Sequence, residues 1–234
     1  MRLNLFISKS GFSSRRKADS FIKEGKVEVN GQVVREPFFE VAKQDEIKVE
    51  GKAITLKSYV YIVFNKPHGV TATVSDRFAI KKVVDFVPKK FKGVYPVGRL
   101  DKDSSGLLIL TNDGDFCYKL THPKFSVEKE YLVKVAGIFG VAQCRRAKIG
   151  IRDDKDLLWV KDIKILRKIG SESLLRIVIT EGKKRHLRRL FAKLGFRVLT
   201  LKRVRIGKLT LGNLKEGQFR LMDKAKIYAL CIKK

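Results

Sequence analysis

The chain has 234 residues and sets 52 Lys and Arg against 24 Asp and Glu, a formal net charge of +28, well beyond the roughly 2 to 8 charges that keep a small domain soluble. An excess of that size points to a polyanionic partner. No apolar run approaches the ~20 residues of a transmembrane helix, and Cys117, Cys144 and Cys231 lie far apart without a CxxC pair, so a membrane span, a disulfide framework and a zinc site are all disfavoured.

The first residues, MRLNLFISKSG, lack the continuous apolar stretch of a signal peptide, and a cytoplasmic location is expected. Leu3, Phe6 and Ile7 stand at helical spacing, Gly11 interrupts, and Ser13 is the expected cap of a second helix that turns Ala18, Phe21 and Ile22 inward and ends at Gly25. Val27 and Val29 alternate into an Asn30-Gly31 hairpin turn, and Ile47 and Val49 form another short strand before Gly51. Residues 1–57 therefore read as a compact helix-helix-strand module, holding 12 basic and 8 acidic side chains. Arg15, Arg16 and Lys17 fall in the first turn of the second helix. The macrodipole disfavours cations there while free N–H groups welcome phosphate, which assigns the three to a nucleic-acid backbone.

Residues 58–234 hold the remaining 40 basic and 16 acidic side chains and become strand-rich. YVYIVF, LLILT, the alternating Tyr131, Val133 and Val135, and LLRIVIT are separated by turns such as NKPHG and NDG. Helical patterns intervene near 114–121, 140–148, 183–194 and 222–230. This irregular mixture predicts an α+β domain around a mostly antiparallel sheet, following the smaller N-terminal α/β module.

Two constellations carry chemistry. In VGRLDKDSSGLLILTNDG (residues 97–114) Asp101 is an acid in a cationic loop, two residues after Arg99. Asp103, Ser104 and Ser105 suit the turn itself, which leaves Asp101 to project, and Gly106 allows another backbone to approach before the buried LLIL strand. In EGKKRHLRRLFAKLG (residues 181–195) a helix buries Leu187, Leu190, Phe191 and Leu194 and stops at Gly195. From Lys183 to Lys208 there are 11 basic residues and no acidic one, a run that repels itself unless an anion lies across it. RNA contact is therefore expected at Lys183, Lys184, Arg185 and Arg189. His68, His122 and His186 share no ligand spacing and the acidic pairs lie in turns, so no metal site is expected.

SRRKADSFIKEGKVEVNG resembles the S4 RNA-binding domain. GRLDKDSSGLLILTNDG, LTHP, KEYLV, EGKKRHLRRLFAKLG, RVRIGKL and GQFRL, in that order, resemble the bacterial ribosomal RNA pseudouridine synthases that carry an S4-like domain. The resemblance implies an S4-like module over 1–57 and a pseudouridine synthase domain over 58–234. It further implies Asp101 as catalytic carboxylate, Tyr131 against the target base, Leu187 supporting the base pocket, and Arg188 paired with Asp101 to keep it charged. Arg99 is then expected to fill the gap of a flipped base or to meet phosphate. Lys184 and His186 stand where the family usually has Asn and Gln.

Isomerising uridine to pseudouridine moves one bond within one nucleotide, so no cofactor is expected. The implied partner is ribosomal RNA or a pre-ribosomal particle, bound by a monomer. The alternative that charge and the S4-like module alone allow is a non-catalytic RNA-binding or ribosome-assembly factor.

Overall fold

The computed structural model describes residues 1–91 and 93–232. It divides into two compact units, Met1–Tyr59 with Lys89–Val94, and Val60–Pro88 with Tyr95–Lys234. The cut falls two residues beyond 57/58, and residues 89–94, which the sequence reading leaves in the second domain, return to the first. A composition break marks one point on the chain and has no means of marking such an excursion. Here Gly93 comes back against the main chain of Gly11, where an added Cβ would stand 3.6 Å from the Gly11 Cα.

The first unit packs α1 (Leu3–Lys9) and α2 (Arg15–Lys23) on a four-stranded antiparallel sheet, ordered β2 (Gln32–Val33), β1 (Val27–Val29), β3 (Ile47–Val49) and β4 (Lys52–Ile54) among the described residues. Leu3, Ile7, Ala18, Ile22, Val27 and Val49 are wholly buried, and the helical and alternating spacings converge on them. Asn30 and Gly31 both take positive φ, 52° and 80°, the conformation a two-residue hairpin turn demands. The helix cap differs from expectation. Ser14 accepts the Lys17 N–H, while Ser13 donates to the Ser14 carbonyl. Two adjacent serines fit the apolar spacing equally, and only the backbone turn at Ser14 chooses.

The described residues of the second unit build a nine-stranded sheet. Along the chain come β5 (Tyr61–Lys66), β6 (Tyr95–Pro96), β7 (Ser105–Thr111), α3 (Gly114–Thr121), β8 (Lys129–Ala136), α4 (Val141–Ile149), the hairpin β9 (Ile151–Asp153) and β10 (Asp156–Leu158), β11 (Asp162–Ile169), β12 (Glu172–Ile179), α5 (His186–Lys193), β13 (Val198–Ile206), β14 (Leu209–Thr210), β15 (Phe219–Leu221) and α6 (Lys224–Cys231). The sheet order is β11-β12-β8-β13-β7-β5-β15, with β14 on β13 and β6 on β7. Its ladders are antiparallel, as expected, except that β13 runs parallel to β7.

β5 is buried along its whole length and β7 over all but its first residue, whereas β8 alternates, with Tyr131, Val133 and Val135 inward. Asp113 and Asp223 cap α3 and α6 with their carboxylates. Helix α5 starts three residues later than its pattern suggests, because Arg185 adopts a left-handed φ of 51° and residues 183–185 form a turn. Its buried face is Leu187, Leu190 and Phe191, and Phe191 packs on Phe139 at 5.4 Å between ring centres.

Candidate active site

The loop between β6 and β7 carries Asp101. Its turn closes through the Ser104 N–H on the Asp101 carbonyl at 3.0 Å, and Gly69 donates to the Lys102 carbonyl at 2.8 Å. The chief anchor is one the sequence reading passed over. Lys66, at the end of the fully buried β5, is itself inaccessible and donates its ammonium to the carbonyls of Ser104 (2.6 Å), Pro67 (3.0 Å) and Lys102 (3.4 Å). Burial pushes its pKa down to about 8, against the opposing pull of Asp103 and Asp101. A lysine inside an otherwise apolar strand was the available signal, since such a cation needs partners to remain there.

Asp101 is half-buried and opens on a cleft of about 1050 Å³. The same cleft is lined by Arg99, Tyr131, Lys183, Lys184, Arg185 and Leu187, so the structure gathers residues spread over nearly ninety positions. Tyr131 is 7% exposed and Leu187 3%, and both form wall and floor. Arg99 and Lys184 are exposed at its edge. Among the described residues no cation lies within 4.0 Å of the Asp101 carboxylate.

The implied Arg188–Asp101 pair is not the one observed. Arg188 Nε sits 3.2 Å from Asp103 Oδ2, and its Nη2 donates to the Asp103 carbonyl at 2.7 Å. Arg185 reaches the same Asp103 oxygen at 3.2 Å. The two aspartates flank one tight turn, and the turn aims Asp103 at α5. Asp103 thus binds the start of α5 to the loop and leaves the Asp101 carboxylate open to the cleft.

The cation run from Lys183 to Lys208 finds much of its countercharge elsewhere in the fold, which corrects the premise that it needs an external anion throughout. Arg189 pairs with Asp153 and Asp156 of the β9–β10 hairpin, and Lys193 joins it on Asp153. These cations hold the Asp153 carboxyl below its usual range, first through the Arg189 hydrogen bond. Lys183 donates to the Leu157 carbonyl and lies 3.4 Å from Glu181, and Arg205 pairs with Glu128 and Glu130. Arg189 is therefore a brace between helix and hairpin rather than a free phosphate ligand.

His186 is 4% exposed, with Nε2 2.9 Å from the Trp159 carbonyl, so Nε2 carries the hydrogen. Burial lowers its pKa, and the neutral ring pegs the start of α5. Arg203, also missed, lies buried beneath Tyr131. Its signal was the two-residue spacing from Leu201, which puts it on the cleft-facing side of β13. Arg15, Arg16 and Lys17 are exposed on the first turn of α2 in the first unit. Among the described residues no group of three or more His, Cys, Asp or Glu is placed to hold a metal ion, and no helix is long and apolar enough to cross a membrane.

Comparison with known proteins gives the family. The S4 domain family matches residues 1–59, and the RNA pseudouridylate synthase family matches residues 60–193. The ribosomal large subunit pseudouridine synthase B of Bacillus subtilis (strain 168) is 41% identical over 221 residues, covering 94% of this chain and 91% of that protein. An uncharacterized RNA pseudouridine synthase of Aquifex aeolicus (strain VF5) is 36% identical over 235 residues, covering 98% and 93%. A crystal structure of a pseudouridylate synthase superposes with a TM-score of 0.68 at 29% identity, covering 98% of this chain and 99% of that one. A carboxylate loop and an aromatic wall on one sheet, preceded by an S4 domain, thus accompany sequence identity along nearly the whole length: the chain belongs to the RNA pseudouridylate synthase family, enzymes that isomerise uridine to pseudouridine in RNA.

Proposed function

We propose that the substrate is ribosomal RNA of the large subunit, and that Asp101 is the catalytic carboxylate. The observation that carries the assignment is an aspartate without an ion pair, on a loop anchored by a buried lysine, sharing one cleft with Tyr131 and Leu187. The name of the Bacillus subtilis relative supports the choice of RNA. The protein is taken to act as a monomer in the cytoplasm, since one flipped nucleotide needs one pocket.

A glycosidic bond inside a stacked helix is out of reach of any side chain, so the target nucleotide must leave the stack. Tyr131 and Leu187 then receive the base, and exposed Arg99 fills the vacated place or holds the adjoining phosphate. The ionised Asp101 starts the reaction either by attacking C1′ or by taking the C2′ proton, and each route releases the base from the sugar. Arg188 acts through Asp103, fixing the loop against α5. Lys184 and Arg185 supply positive potential at the rim, and Arg15, Arg16 and Lys17 offer a separate phosphate contact at the N-terminus of α2.

The test is tritium release from large-subunit ribosomal RNA labelled at uracil C5. Wild type should release the label, and Asp101→Asn should release none while binding the RNA unchanged. Release by Asp101→Asn at the wild-type rate would refute the assignment. A deletion strain rescued by Asp101→Asn would favour a non-catalytic assembly role instead.

A further inference from the structure

Arg203 has no part in the chemistry assigned to Asp101, yet its surroundings are unusual for an arginine. It is 3% exposed at the centre of the sheet, where register sets it opposite Tyr131 of β8 on one side and Gly106 of β7 on the other. Directly opposed residues share a face of a sheet, so the Arg203 and Tyr131 side chains lie together. Nε donates to the Leu107 carbonyl at 2.7 Å, Nη1 lies 3.5 Å from the Tyr131 hydroxyl, and Nη2 is buried without a partner.

Among the described residues no carboxylate lies within 4.0 Å of this guanidinium. Lys66, which is inaccessible, and half-buried Lys129 feel its charge as a repulsion. A guanidinium does not shed its proton in a protein, and burying a charge without a counter-ion is strongly unfavourable. The main chain around it is equally tight, since Gly106 lets β7 pass where any Cβ would meet the Arg203 carbonyl oxygen. This unpaired charge lies directly beneath Tyr131, the residue that walls the base pocket.

The donor inventory gives the direction. A guanidinium only donates, so the Tyr131 oxygen accepts from it and the phenolic hydrogen is left to be given away. No acceptor for that hydrogen is present among the described residues, and Tyr131 faces the cleft.

We propose that Arg203 is a positioning residue that polarises the Tyr131 hydroxyl, so that the phenol donates to the negative charge uracil acquires when its bond to the sugar breaks. The proposal rests on uridine isomerisation at Asp101. When N1–C1′ breaks, the electron pair stays with uracil as a monoanion, while Asp101 either bonds C1′ or takes the C2′ proton. After the ring turns, the uracil pair forms C5–C1′ as the Asp101–C1′ bond breaks, or as Asp101 returns its proton to C2′; C5 then loses its proton and N1 gains one. The anion exists only between the two bonds, so a donor aimed at it assists the transition state and not the bound substrate.

The experiment compares large-subunit ribosomal RNA transcribed with UTP and with 5-fluoro-UTP, under single turnover, with nucleosides resolved by chromatography and mass spectrometry. Fluorine at C5 stabilises the uracil anion, so the modified RNA needs the relay less. Arg203→Met should slow uridine conversion by about 100-fold, the scale of losing one preorganised donor, but slow loss of the target 5-fluorouridine by less than about tenfold, with RNA affinity unchanged. Arg203→Lys retains the charge and serves if the methionine variant does not fold; it should show the same bias toward the fluorinated RNA. In a Tyr131→Phe background, Arg203→Met should add little. Equal losses on both RNAs, tracking a lowered melting temperature, would reduce Arg203 to a structural brace and overturn the proposal. An inactive Asp101→Asn beside a fully active Arg203→Met would reject the relay alone, whereas an active Asp101→Asn would reject the underlying assignment.

Discussion

Replacing Gly106 by alanine tests the closest approach in the sheet. An alanine Cβ would stand 2.2 Å from the Arg203 carbonyl oxygen, 2.8 Å from its nitrogen and 3.0 Å from its carbonyl carbon, all main-chain atoms that cannot rotate aside. Gly106 also has a φ of +102°, which costs an alanine about 1 to 2 kcal/mol. To clear the oxygen, β7 and β13 must part where they share their two registered pairs. Losing those backbone hydrogen bonds adds about 1 kcal/mol each, and leaving the groups buried without partners adds more. The sum is about 4 to 6 kcal/mol, a large share of the ~5 to 15 kcal/mol that holds a protein folded. Gly195 is the internal control. Its φ is +86° but nothing lies within 4 Å of its Cβ position, so alanine there meets only the conformational cost. At roughly 2 to 4 °C per kcal/mol for a domain of this size, Gly195→Ala should lower the melting temperature by about 2 to 8 °C, and Gly106→Ala by about 8 to 24 °C, several times as much. Calorimetry of the two variants decides the matter. Equal and small shifts would show that the strands separate freely there and that the approach is not what holds Arg203 in place.

Lys66 is held at about 8 in the fold against 10.5 when free, mainly by burial. Between those values the unfolded chain keeps the proton that the folded chain has lost, so the linkage raises stability as pH rises, while the Asp101 loop loses ammonium donors. The rate at saturating RNA should therefore fall as pH passes about 8 with no matching fall in melting temperature. That limb should vanish in Lys66→Met and persist in Lys129→Met, whose lysine is also held at about 8; a limb unchanged in Lys66→Met would sink the anchor role. For the basic helix, Lys184→Ala should reduce the slope of log affinity against log salt by about 0.7 to 0.9 with no change in melting temperature. Arg189→Ala should lower the melting temperature and leave the slope intact, and the reverse pattern would mean that Arg189 leaves its aspartates to bind RNA.

Local patterns made much of this molecule legible. The alternation of Tyr131, Val133 and Val135, the apolar face of α5 and the Asn30-Gly31 turn are short-range signals, and each appears where its spacing put it. Asp101 stood out because an acid is rare in a cationic loop, and Gly106 because glycine before a buried strand suggests close approach. The partners were harder to see. Asp101 and Asp103 flank the same turn, so sequence spacing could not say which faces Arg188. Asp153 and Asp156 lie more than thirty residues from Arg189, which made its run look unopposed. Lys66 and Arg203 were hidden for a shared reason, in that a cation within a strand reads as solvent-facing until the third dimension covers it.

The parallel ladder between β7 and β13 also sets an order of assembly. β5 and β7 pair across one intervening segment, and β11 and β12 form a hairpin whose second strand returns onto β8. Both are built from contacts of modest sequence separation, but neither holds a complete site. Only β13, whose Arg203 is registered on a residue 97 positions earlier, slots between β8 and β7 and brings Tyr131 to the Asp101 loop. Long-range pairing of this kind carries the larger loop-closure entropy and forms late. A partly synthesised chain can thus own both halves of the pocket and still be inert until this strand is in place.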